Sequence, residues 1–257
     1  MRHPHKWEDL LPEEFFAEMR RAPIVYWSCG AMEEHGLHMA LGNDWIQMYE
    51  VCLRAAEMTG GIVFPHVPFA PAGIPGYSRE ELRSGEYELV PPSLWVSREL
   101  CERLYAELME SMADMGFRVC VALGGHYPAD LLLREMERET GGSIRGMLFH
   151  GGGTVGLLED EIAKIVVDDP AANGHGGMWE SALVMAIRRD WADLTRAERV
   201  VDAPFTSQLQ QMSPEGLARI KHATVELGEH LLDAAAQKAA AHARALLDRA
   251  AAEGGPS

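Results

Sequence analysis

Short apolar segments alternate with longer amphipathic segments along this chain. The cleanest apolar run is Phe117–Leu123, and two further runs, Pro23–Cys29 and Ser143–Phe149, have a similar length and character. Short runs of this kind are typical of strands that are buried on both faces of a parallel sheet. A fourth strand is predicted within Ile62–Phe69, where two prolines favour a sheet edge or a strand end.

Helical periodicity fills most of the segments between the predicted strands. The predicted helices are Pro12–Arg21, a helix that follows Asp44, Trp95–Met115, Ala129–Glu139, Met178–Arg188 and a C-terminal helix at about 225–252. Strands that alternate with such helices predict an α/β fold, with helices on both faces of a mostly parallel sheet. Residues 70–92, rich in proline and glycine, are predicted to form a long functional loop. Because no repeat or convincing linker divides the chain, we expect a single domain over residues 1–257.

The composition excludes several classes of function. The chain has 257 residues, with 39 acidic side chains against 23 lysines and arginines and a formal net charge of −16. A charge of this sign repels phosphate backbones, so we expect no nucleic-acid partner. No apolar run reaches the roughly 18 residues that span a bilayer, so we expect no membrane insertion. Four widely spaced cysteines indicate the reduced thiols of a cytoplasmic protein.

Metal-ligating residue types are concentrated in the segment that follows the first predicted strand, where Glu33, His35 and Asp44 lie close together. Carboxylates and imidazoles are the usual protein ligands of zinc, iron and manganese. Glu33 and His35 alternate along an extended loop, so they can point the same way, and Asp44 can bridge two metals. The alternative is a solvated polar loop in which Asp44 caps the following helix.

Two further segments carry histidines where a strand ends or a helix begins. His126 follows the strand at Phe117–Leu123 directly after two glycines, and His175 lies among glycines shortly before Glu180. Sites in open α/β sheets lie outside the carboxyl ends of the strands, so the three segments are expected to converge. The alternatives are a hydrogen-bonded loop histidine for His126 and helix capping for Glu180 and Ser181.

A rival pattern lies in the middle of the chain. Gly151–Gly156 fits GxGxxG after a predicted strand, and Asp168 and Asp169 follow at a spacing near that of a ribose-binding acid. A run of three glycines satisfies this pattern easily, and the residues after it predict only an ordinary helix. A dinucleotide site is therefore the weaker hypothesis. The sequence contains no GxSxG, P-loop or HExxH motif.

The three histidine-bearing segments together resemble the creatininase family. The pattern G-x-x-E-x-H-G-x-H, followed by an aspartate, runs from Gly30 to Asp44; a Gly-His pair stands at 125–126; and H-G-G-x-x-E-S runs from His175 to Ser181. The resemblance implies a three-layer α/β/α sandwich with a mostly parallel central sheet. It also implies a hydrolase with two divalent metal ions, which in this family are zinc, manganese or iron, and a homo-oligomer, commonly a hexamer.

The resemblance also assigns the metal ligands to residues of this chain. Glu33 and His126 would hold one metal, His35 would hold the other, and Asp44 would bridge them. Two residues after the metal-binding histidine, where creatininase has a second-site glutamate, this chain has Pro128. We therefore expect that ligand to be replaced by a carboxylate from elsewhere in the chain.

Glu180 is the expected replacement for the missing ligand. The resemblance makes His175 the active-site histidine that moves a proton, a catalytic role that Glu180 can share. It also makes Tyr127, which follows the metal-binding histidine, a residue of the pocket wall. Whether Glu180 acts as a ligand or as a proton carrier stays open in the sequence.

The expected substrate is a small, polar and cyclic molecule. In the resembling enzyme a tryptophan lid closes over creatinine and an acid precedes the active-site histidine, but those positions are Ala171 and Gly174 here. We therefore expect a substrate other than creatinine. The family majority favours cleavage of an amide C–N bond by a metal-activated water. The alternatives are ring opening of a cyclic keto-polyol of the inosose type and a non-catalytic protein that binds a metal or cofactor.

Overall fold

A mostly parallel sheet with helices on both faces forms the centre of the fold. The computed structural model describes residues 2–71, 92–94, 96–168, 174–203, 209 and 212–253. The strands are β1 (Ile24–Cys29), β2 (Ile62–Val63), β3 (Val119–Gly124), β4 (Ser143–Ile144) and β5 (Met147–Gly153). They lie in the order β2-β1-β3-β5-β4, and all neighbours are parallel except β4 and β5. The predicted α/β fold is confirmed, and nearly all of the predicted loop at 70–92 lies outside the described residues.

One predicted strand is wrong in its detail. Ser143–Phe149 was expected to be a single strand, but it contains the turn of a hairpin between β4 and β5. Arg145 and Gly146 form this turn with positive φ angles of 50° and 87°. Gly146 tolerates this backbone conformation, whereas Arg145 adopts it less readily, so the local sequence signals the turn only weakly.

The helices follow the predicted order along the chain. They are α1 (Pro12–Arg21), α2 (Asn43–Thr59), α3 (Arg98–Met115), α4 (Tyr127–Glu139), α5 (Thr154–Asp168), α6 (Met178–Ile187), α7 (Pro214–Ile220) and α8 (Val225–Glu253). Ser97 starts α3 by accepting a hydrogen bond from the Leu100 amide at 3.3 Å. Among the described residues, no helix is both long enough and apolar enough to cross a membrane.

Helix α2 starts two residues earlier than the sequence predicts. Asn43 is its first residue and Gly42 its N-cap, so Asp44 does not cap the helix as the alternative interpretation required. Asp44 is a buried residue of the first turn, and its carboxylate is directed to two histidines instead.

Successive side chains of each strand point to opposite faces of the sheet, so the sheet lies between two apolar layers. One face of the sheet packs on α1, α3 and α4 through residues such as Trp27 and Phe149. The opposite face packs on α2, α5, α6 and α8 through residues such as Tyr26 and Val121. Helix α8 contributes a row of fully buried alanines to this second layer.

The carboxyl ends of three parallel strands lie in register. Cys29 at the end of β1 pairs with Gly124 of β3, which pairs with Gly153 of β5. The loops that leave these strands therefore start side by side, on the edge where parallel α/β sheets carry their chemistry.

Candidate metal centre

Five side chains from separate segments converge at this edge of the sheet. Glu33 and His35 come from the loop after β1, and His126 comes from the turn after β3. Asp44 lies in the first turn of α2 and Glu180 in the first turn of α6. All five residues are buried, with relative exposures between 1% and 8%. The structure thus brings together every predicted metal ligand.

Asp44 lies between two imidazoles. Its Oδ1 is 2.9 Å from Nε2 of His35, and its Oδ2 is 3.1 Å from Nδ1 of His126. The same Nδ1 of His126 is 3.0 Å from Oε2 of Glu33. On the other side, Nε2 of His35 is 4.0 Å from Oε2 of Glu180. The six ligand atoms of these five residues therefore form two groups that share the carboxylate of Asp44.

The ionisable side chains of this cluster shift one another's pKa values. Burial acts against protonation, yet Glu33 and Asp44 raise the pKa of His126 to about 10. Burial opposes the same change at His35, but Asp44, Glu180 and Glu33 raise its pKa well above the ordinary value. Burial raises the pKa of Glu180, which the positive charge of His35 partly offsets. The three buried carboxylates therefore strongly favour a positive charge at this site.

These residues fit metal ions by chemistry and by spacing. One ligand atom from each of Glu33, Asp44 and His126 lies within 4.8 Å of the others, and the same holds for His35, Asp44 and Glu180. Tetrahedral ligands on bonds of about 2.0–2.2 Å are separated by about 3.4 Å, close to the separations here. A metal ion would take the place of the imidazole protons, because metal binding requires deprotonated ligands.

The segment before α6 orients Glu180 and holds His175. The Gly176 amide donates to Oε2 of Glu180 at 2.5 Å, so the carboxylate is fixed by its own helix start. His175 donates from Nε2 to the carbonyl oxygen of Glu34 at 2.6 Å and stacks on His35 with 4.2 Å between ring centroids. His175 thus lies against the metal-ligand cluster as the sequence predicts, and its Nδ1 remains for other partners.

Tyr127 has a different environment from the five buried ligands. It is the first residue of α4, directly after His126, and it is 56% exposed. The next residue, Pro128, is buried in the first turn of α4. Proline has no side-chain donor atom, so this position cannot supply a metal ligand. Helix α4 starts at Tyr127, two positions before the predicted Ala129. Tyr127 and Pro128 therefore belong to its first turn.

No role was predicted from the sequence for His38 and Ser181, two buried polar residues near the site. His38 and Ser181 were noted only as part of a motif and as a capping residue. In the structure Nε2 of His38 lies 3.1 Å from Oγ of Ser181, and both residues are almost fully buried. Burial lowers the pKa of His38 to about 4, so this imidazole is neutral. The signal in the sequence was their place in the motifs, where His38 ends the first pattern and Ser181 ends the last.

In the structure, the segment that carries the rival dinucleotide pattern lies against a buried carboxylate of the same chain. Asp130 of α4 is buried, accepts a backbone hydrogen bond from Gly156 near the start of α5, and pairs with Arg134 at 2.6 Å. The amide groups at this helix start therefore already serve an anion of the chain itself. Asp168 is the last residue of α5 rather than the end of a neighbouring strand.

The fold and the buried cluster define an α/β enzyme that uses metal ions. Residues 8–243 match the sequence model of the creatininase family, described as creatinine amidohydrolase. The chain belongs to the creatininase family and is a metal-dependent hydrolase.

Similarity to known proteins in sequence and in structure supports this family membership. The creatinine amidohydrolase of Pseudomonas putida is 26% identical over 243 residues, which cover 81% of this chain and 84% of that protein. A creatininase variant in a Zn–Zn form is 25% identical, with a TM-score of 0.67 and coverage of 93% of this chain and 96% of that chain. A manganese form of creatininase, 24% identical with a TM-score of 0.66, covers 93% of this chain and 97% of that chain and supports the fold.

Proposed function

We propose that this protein is a dinuclear metal-dependent hydrolase that cleaves an amide C–N bond in a small, polar, cyclic substrate. The observation that carries this proposal is the position of Asp44, whose two oxygens face His35 and His126 at 2.9 and 3.1 Å. A carboxylate with one imidazole at each oxygen is the arrangement that a bridging ligand requires.

The ligands divide into two proposed sites around Asp44. The first site consists of Glu33, Asp44 and His126, and the second of His35, Asp44 and Glu180. Glu180 takes the role of ligand because it is buried beside His35, whereas Pro128 cannot coordinate. When bound, two such ions polarise a carbonyl oxygen and lower the pKa of a water molecule toward neutrality.

We assign the movement of the proton to His175. Its Nε2 hydrogen is engaged by the carbonyl oxygen of Glu34 at 2.6 Å, so the neutral ring keeps a free lone pair on Nδ1. That atom can take a proton from the attacking water and release it to the leaving nitrogen. The stacking of His175 on His35 holds this ring beside the second site. Tyr127, more exposed, is left to contact the substrate at the rim.

Family membership and charge together support the proposed substrate class. The relative from Pseudomonas putida is a creatinine amidohydrolase, and creatinine is a cyclic amide-like ring. The net charge of −16 disfavours polyanionic substrates over neutral or cationic ones. A neutral cyclic amide satisfies both conditions.

Elemental analysis of the purified protein, followed by an activity screen, tests the proposal. The screen contains cyclic amides, formamides and inososes, each with the protein loaded with zinc or manganese. Two metal ions per chain and turnover of an amide are the expected results. Turnover of an inosose alone would favour ring opening of a keto-polyol, and one metal ion or none would favour a non-catalytic binding protein.

A further inference from the structure

A buried hydrogen bond joins the loop after β1 to helix α6. Nε2 of His38 lies 3.1 Å from Oγ of Ser181, and the two residues are separated by 143 positions in the chain. We propose that His38 and Ser181 are positioning residues that hold Glu180 opposite His35 and thereby set the affinity of the second metal site. This inference rests on the proposed function.

The proton on this bond can be assigned by counting donors. Ser181 donates its hydroxyl hydrogen to the carbonyl oxygen of Gly177 at 2.8 Å, one turn earlier in the chain. With the hydroxyl hydrogen placed on the Gly177 carbonyl, the hydroxyl oxygen accepts from His38. A neutral imidazole has one N–H, which this bond places on Nε2. Nδ1 of His38 is then an acceptor that is buried without a partner. In either tautomer of His38 this bond joins the loop to the helix.

The bond is placed where it can control the second site. Ser181 directly follows Glu180, and His38 lies three residues after His35, so the bond links the two segments that carry these ligands. On the same loop, the carbonyl of His38 accepts from the Asp193 amide at 2.8 Å, beyond the end of α6. That backbone bond holds the segment that follows the helix, and the bond to Ser181 holds the end of the helix that carries the ligand.

The second site is also the one with the wider spacing. Nε2 of His35 and Oε2 of Glu180 are 4.0 Å apart. In the first site, Nδ1 of His126 is only 3.0 Å from Oε2 of Glu33 and 3.1 Å from Oδ2 of Asp44. Metal ligands must be held within about 0.5 Å of the productive geometry. A small displacement of α6 therefore disrupts the second site, while Glu33 and His126 lie on other segments of the chain.

Two changes remove the bond from opposite sides. Ser181→Ala deletes the acceptor, and His38→Leu deletes the donor with a side chain of similar reach. His38→Gln keeps an N–H at the end of the side chain and is expected to retain the bond. The matched control is Tyr26→Phe, which removes a buried hydrogen bond to Thr59 of 2.6 Å in the core. If one bond-deleting variant fails to fold, the other still tests the proposal.

Zinc titration of the metal-free full chain by calorimetry, with elemental analysis, measures the two affinities separately. Ser181→Ala and His38→Leu are expected to weaken the second site by about tenfold or more, as loss of supporting contacts commonly does. The first site, His38→Gln and Tyr26→Phe should stay within about twofold of the parent. The proposal is overturned if both sites weaken equally, if neither changes, or if Tyr26→Phe reproduces the effect.

Glu180→Gln separates this proposal from the proposed function. If the parent binds two zinc ions and Glu180→Gln binds one, the dinuclear site stands. An unchanged second site in Ser181→Ala then refutes only the positioning role. A parent chain that binds fewer than two zinc ions refutes the dinuclear function and this inference together.

Discussion

The backbone of Gly125 lies directly against the backbone of Asp44. A Cβ atom on Gly125 would collide with the carbonyl oxygen of Asp44, and the Gly125 amide donates to the carbonyl of Cys29 at 2.8 Å. The residue before His126 therefore fixes the distance between the turn after β3 and the first turn of α2. Two ligands of the proposed first site depend on this contact.

Gly125→Ala is expected to reduce zinc binding at both sites by at least about tenfold. The added methyl group meets backbone atoms, which cannot rotate away as a flexible side chain can, so His126 and Asp44 must move apart. Elemental analysis after dialysis measures the loss. The control is Gly146→Ala, at a positive φ of 87° with no atom within 4 Å. It is expected to lower stability by about 1 kcal/mol without changing metal content. Full metal occupancy in Gly125→Ala would contradict this account.

Asp44→Ala is expected to abolish binding of both metal ions. A shared carboxylate serves each site, so its removal also eliminates activity. Asp130→Ala provides the comparison, because Asp130 is equally buried but pairs with Arg134 outside the cluster. That variant should lose stability and keep its metals. An Asp44→Ala protein with two ions per chain would show that another residue bridges the sites.

His175→Gln is expected to lower turnover by about 10²–10⁴-fold while the metal content stays constant. The glutamine amide can still donate to the carbonyl of Glu34, but it cannot carry a proton between water and leaving group. Steady-state kinetics with elemental analysis distinguishes this role from ligation. His5→Gln is the matched control, since the His5 ring contacts the Gly61 carbonyl and Glu18, away from the site. Loss of a metal ion in His175→Gln would make His175 a ligand instead.

Creatinine is expected to be turned over at least about a hundredfold more slowly than the true substrate. This ratio corresponds to roughly 2.7 kcal/mol in transition-state binding. The reason lies in the sequence, where Gly174 and Ala171 stand at the positions of the creatinine-enclosing acid and tryptophan; Ala171 lies outside the described residues. A steady-state assay of the metal-loaded protein measures the ratio. Efficient conversion of creatinine to creatine would refute the expectation.

The protein is expected to be a homo-oligomer, with a hexamer as the specific expectation from the family resemblance. Light scattering at micromolar concentration measures the mass directly. One chain has a mass of 28.4 kDa, and a stable particle of that mass would contradict the expectation. A mass between one and six chains would keep the oligomer and refute the hexamer.

Local sequence signals predicted some elements fully and others only in part. Pro12–Arg21 was predicted with its observed bounds because Pro12 suits a first turn and the periodicity is clear. The β4–β5 hairpin was missed because Arg145 is a poor residue for a positive φ, so the run seemed continuous. Both outcomes reflect how strongly a short segment determines its own backbone.

The candidate site shows the same division between local and distant information. Glu33, His35, Asp44 and His126 were found because their motifs are compact in sequence. The hydrogen bond between His38 and Ser181 could not be found, because it joins residues 143 positions apart. Only packing of α6 against the loop brings them together.

Helix α8 limits how this enzyme can be redesigned. It supplies none of the five proposed ligands, yet it packs against α2 and α6, which carry Asp44 and Glu180. Gly228 approaches the carbonyl of Ala182 so closely that a Cβ atom would not fit. A larger side chain at a buried position of α8, such as Ala239→Leu, would cost about 1–3 kcal/mol and force its neighbours to shift. A protein engineer can therefore change the substrate through the loops, but the alanines of α8 must be kept as spacers that set the distance between the ligand-bearing helices.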